Sequence, residues 1–65
     1  MGTLRLVRAR WRDGQDYLVA ELDGRGIAEC YVPAGTEVTV ALEDSGVAIR
    51  RAEDGYLLAR GITPG

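Results

Sequence analysis

Turn-forming sequences punctuate this chain at short, nearly even intervals: Asp13-Gly14, Asp23-Gly24, Pro33-Ala34-Gly35, Ser45-Gly46 and Asp54-Gly55. Asp and Gly tolerate the positive φ angles of tight hairpin turns, and Pro-x-Gly supplies a glycine where a turn needs one. Intervals of about ten residues hold a strand and its turn, but not the helical crossover that parallel strands require. Five such turns predict six strands in antiparallel order.

The segments between the turns alternate with the period of a half-buried strand. Over residues 37–43, Val38, Val40 and Leu42 face one way while Glu37, Thr39, Ala41 and Glu43 face the other. The same inner face continues through Leu18, Ala20 and Leu22, then Ala28, Cys30 and Val32, then Val47 and Ile49, then Leu57 and Ala59. The first strand breaks the pattern, because Leu4 and Leu6 share one parity while Val7, Ala9 and Trp11 share the other. One extra residue near Leu6-Val7, a β-bulge, restores a single inner face and bends the strand. The expected fold is therefore all-β: a small antiparallel barrel of five to six short strands, OB or SH3-like, with a bulged first strand. Residues 1–60 form its single domain and residues 61–65 a frayed tail.

A chain of 65 residues has a small core, and self-association or attachment to a larger protein would add to it. One cysteine forms no internal disulfide, and without histidine no zinc site is expected. Every basic residue is an arginine, which removes lysine chemistry along with histidine acid-base catalysis, so neither an enzyme nor a cofactor is expected. The net charge of -2 opposes a general affinity for nucleic acid or anionic lipid. No apolar run approaches the length of a membrane span, and the first residues lack a signal-peptide core, so the expectation is a cytoplasmic protein without membrane contact.

Several groups carry candidate chemistry. With the bulge in place, Arg5, Arg8, Arg10 and Arg12 all lie on the outer face of the first strand. Arg8, Arg10 and Arg12 with Trp11, and Tyr17 nearby for stacking, could then track a single strand of nucleic acid. The plainer alternative pairs these arginines with carboxylates such as Glu21. Cys30 reads as a small core residue, the aspartates as turn formers, and Gly24-Arg25-Gly26 as a hairpin without the helix a phosphate loop needs. Tyr17, Val19, Ile27, Tyr31, Tyr56 and Leu58 fall on the parity opposite the core. Contiguous apolar surface of that kind marks an interface.

Residues 27–49 resemble a known family through Val32-Pro33-Ala34-Gly35-Thr36-Glu37-Val38-Thr39-Val40-Ala41-Leu42 leading into Gly46-Val47-Ala48-Ile49. The stretch is similar to the TOBE domain, the small OB-type barrel that follows the ATPase in many importers of sugars, polyamines and oxyanions. The resemblance is confined to this stretch and implies a regulatory, ligand-sensing or subunit-contacting appendage. No Walker A motif is present, and the middle segment is shorter than in oxyanion-binding members, so no ligand residue carries over. The functional expectation is a non-catalytic binding or assembly module that associates with itself or with a larger protein. The alternative is an OB-type single-stranded nucleic-acid binder.

Overall fold

Hairpin chemistry governs the chain locally. Asp13 and Gly14 have φ of 60° and 69°, and Asp23 and Gly24 have 54° and 82°, the left-handed pair that a tight hairpin turn requires. A computed structural model describes residues 2–63. It contains β1 (Leu4–Arg10), β2 (Gln15–Leu22), β3 (Arg25–Pro33), β4 (Val38–Glu43), β5 (Gly46–Arg51) and β6 (Leu57–Ile62). Among the described residues no helix is long and apolar enough to cross a membrane.

The strands pair in two antiparallel three-stranded sheets, ordered β1-β2-β3 and β4-β5-β6. The sheets meet face to face, with β3 lying against β6 and β5. Leu18, Ala20, Ala28 and Val32 from the first sheet and Val47, Ala48 and Ile49 from the second are buried, and all but Ala48 lie on the face that alternation assigns to the interior. All of these are aliphatic. None of the aromatic side chains is buried: Trp11, Tyr31 and Tyr56 are exposed and Tyr17 is half-buried.

The bulge predicted in β1 is not there. The β1–β2 register runs unbroken from Leu4↔Leu22 to Arg10↔Asp16. Leu4 packs on the core, so the strand's parity brings Arg8 and Arg10 to the inner side and Val7 and Ala9 to the outer side. Two bulges lie elsewhere. The β2–β3 register shifts between Ala20 and Glu21, leaving Ile27 without a partner, and the β5–β6 register shifts between Ile49 and Arg50, leaving Leu58 without one. An extra residue reverses the facing of its neighbours. Both extra residues are apolar, and both pack against the core instead of standing outside it. Leu57, expected inside, is 41% exposed in consequence.

The fourth turn is Asp44–Ser45, with Asp44 at φ 53°, and Gly46 is the first residue of β5. Gly46 serves packing instead of turning. A Cβ there would stand 2.3 Å from the Gly61 carbonyl oxygen, and one on Gly61 would stand 1.8 Å from that of Ile27. The backbones of β3, β6 and β5 thus stack with no side chain between them. Gly61 and Ile62 belong to β6, and the Thr63 amide donates to the Ser45 carbonyl at 2.9 Å, so the expected tail is strand up to this point. Pro64 and Gly65 lie outside the described residues.

Candidate binding face

The outer face of the first sheet gathers apolar and aromatic residues because β1 keeps its register. Val7 stands opposite Val19 and Ala9 opposite Tyr17, while Tyr17 stands opposite Tyr31 on the next strand. Just past β1, the Trp11 amide donates to the Gln15 carbonyl at 2.8 Å, which holds the indole in line with the sheet. Its ring centre lies 6.1 Å from that of Tyr17 and 5.5 Å from that of Tyr31, and the two tyrosines are 5.1 Å apart. The rings are tilted, the arrangement their quadrupoles favour. Trp11 and Tyr31 keep 45% and 50% of their surface in solvent.

Charge frames this triad on two sides. The Tyr17 hydroxyl donates to the Glu29 carboxylate, and that bond pushes the phenol above its ordinary pKa. On the other side the Arg12 guanidinium lies 5.9 Å from the centre of the Trp11 ring. Arg10, Trp11 and Arg12 line a shallow hollow there. Among the described residues no carboxylate pairs with Arg10 or Arg12, and no arginine pairs with Glu29.

Of the six residues expected to form an apolar interface, the structure brings together Tyr17, Val19 and Tyr31. Ile27 and Leu58 are removed from it, because the bulges turn them onto the core. Tyr56 is exposed, but it sits before β6 on the other sheet, with the Arg51 guanidinium 5.0 Å from its ring centre. Trp11 is the member that parity analysis missed. Its signal is present in the sequence, since Trp11 shares the parity of Val7 and Ala9, and an unbulged strand places all of them with Tyr17 and Val19.

The four arginines expected in one outer stripe are divided. Arg5 lies 3.5 Å from Glu21 on the outer face. Arg8 is committed elsewhere: it donates to Asp16 at 2.6 Å and to the Thr36 carbonyl at 2.7 Å, tying β1 and β2 to the turn before β4. Asp16 also accepts from the Gly35 amide at 3.1 Å, so one buried carboxylate fastens the turn from both sides. Only Arg10, Arg12 and Trp11 of the expected nucleic-acid set remain together.

These carboxylates set the acid response. The Gly35 amide and then Arg8 hold Asp16 below its ordinary 3.8, Arg50 holds Glu43 below 4.5, and Arg51 with the Tyr56 amide holds Asp54 at about 2. Because each folded value lies below the unfolded one, each group's stabilising contribution is complete above the unfolded value and is lost as pH falls through the folded one. Thermal melts should be level from about pH 7 to 5 and fall steeply below about pH 4. Asp16→Asn should lower the melting temperature at neutral pH and flatten part of that fall. A wild-type melting temperature unchanged at pH 3 would contradict the assignment.

Cys30 is half-buried against the core, and burial pushes its thiol up, away from the reactive range. Among the described residues no three His, Cys, Asp or Glu side chains converge as a metal site would need. A cleft of about 530 Å³ opens between the Pro33–Glu37 and Arg51–Glu53 turns, with Val32 and Leu58 in its wall. Its arginine, Arg51, is held by Asp54 at 2.7 Å. No protein-family profile, curated protein or solved structure matches this chain.

Proposed function

We propose that this protein is a non-catalytic assembly module of the cytoplasm, a small OB or SH3-like barrel that associates with a second copy of itself through the aromatic face of the first sheet. In this reading the two sheets are the halves of the barrel, drawn together where β3 crosses β6. The observation that carries it is the placement of the rings. A chain this short needs every large apolar group it has, yet its core is aliphatic and three aromatic rings stand packed together on an outer face. Aromatic residues on a surface are what protein interfaces are enriched in.

Sedimentation or light scattering from low to high micromolar concentration tests the proposal directly. The expected result is a monomer–dimer transition, with a melting temperature that rises by about 3–6 °C for each tenfold increase in concentration. A monomer throughout, with a concentration-independent melt, overturns it. Trp11 is the sole tryptophan, so its fluorescence reports on this face. Salt-sensitive quenching by a single-stranded oligonucleotide would instead support the reading built on Arg10, Arg12 and Trp11.

A further inference from the structure

The aromatic face carries unpaired charge of opposite sign on either side of its rings. Arg12 caps the Trp11 side, while Glu29 borders the Tyr17 side. Within one copy the rings hold the two apart: Arg12 lies 5.9 Å from the Trp11 centre, and that centre is a further 6.1 Å from Tyr17, whose hydroxyl then reaches Glu29. We infer that two copies join these faces about a two-fold axis passing through the aromatic triad, so that Arg12 of each copy pairs with Glu29 of the other. The inference rests on the self-association proposed above and adds the symmetry and the register.

A two-fold axis is the operation that makes one patch complementary to itself. Rotation about an axis through the triad stacks rings on rings and exchanges the two flanks, bringing the cation of one copy over the anion of the other. Sliding or turning the copies out of this register would leave Glu29 facing the partner's Glu29, or Arg12 its Arg12, and like charges at close quarters disfavour an interface. Arg5 and Glu21 do not compete, because they already pair within the same sheet.

A charge-reversal cycle tests the register. Arg12 and Glu29 are both exposed, so the single variants Arg12→Glu and Glu29→Arg should keep the fold, as circular dichroism would verify. Each contact occurs twice in a two-fold dimer, so each reversal places two like-charge pairs in the interface, and the dissociation constant should rise by about tenfold or more. The double variant Arg12→Glu with Glu29→Arg should return to within a few-fold of wild type. Glu29→Gln, which keeps an acceptor for Tyr17, should weaken the dimer less than Glu29→Arg. If wild type dimerises but the double variant is no tighter than the singles predict additively, the register is wrong while self-association stands. If wild type is a monomer at high micromolar concentration, both fall.

Discussion

Gly61→Ala is expected to lower the melting temperature by about 10–20 °C, the largest effect of any single methyl group in this chain. The added carbon would stand 1.8 Å from the Ile27 carbonyl oxygen and 2.6 Å from its carbon. Both are main-chain atoms of β3, so no side-chain rotamer can relieve the overlap, and β3 and β6 must move apart. Overpacking of this kind costs about 1–3 kcal/mol even where side chains can give way. A domain of this size has only about 3–5 kcal/mol to lose. Gly24→Ala separates the causes, because Gly24 has a φ of 82° but open space around its Cβ direction. It should cost only the strain of a left-handed alanine, about 1–2 kcal/mol. Equal melting of Gly61→Ala and wild type would show that β3 and β6 leave room for a methyl group between their backbones.

Trp11→Ala should weaken self-association by about a thousandfold. A central aromatic anchor is commonly worth about 2 kcal/mol at an interface, and a two-fold dimer contains two of them. The indole touches Tyr17 and Tyr31 within its own copy, so the monomer also loses some ring packing. That loss is smaller, because Trp11 is already 45% exposed. Sedimentation should therefore show a folded monomer at concentrations where wild type is a dimer. A dimer of wild-type affinity would place the interface elsewhere.

The division of the chain into strands is legible in its turn residues. Asp13-Gly14 and Asp23-Gly24 fold as their chemistry predicts, and the strand over residues 37–43 appears as β4 (Val38–Glu43). Facing is legible only where register is regular. The inner set Leu18, Ala20, Ala28 and Val32 is buried, whereas Ile27 and Leu58 are displaced by bulges whose positions depend on two strands at once. The parity conflict at Leu6-Val7 is real, but it has two physical resolutions. An inserted residue would turn Arg8 outward, and a counter-charge lets Arg8 remain on the inner side. The chain uses the second, and Asp16 on the neighbouring strand is the counter-charge. That one choice also decides the candidate site, since an unbulged β1 sends Val7, Ala9 and Trp11 to the face that Tyr17 and Tyr31 occupy.

The two-sheet arrangement has a kinetic consequence. Every hydrogen-bonded strand pair joins neighbours in sequence, so each trio of strands can zip up from its own turns with little loop-closure entropy to overcome. Contacts between the trios, such as Ile27 on Gly61 or Arg8 on Thr36, span far longer stretches of chain. Joining the two trios therefore closes the longest loops in the chain, and Asp16 with Arg8 fastens the connection between them at the Gly35–Thr36 turn.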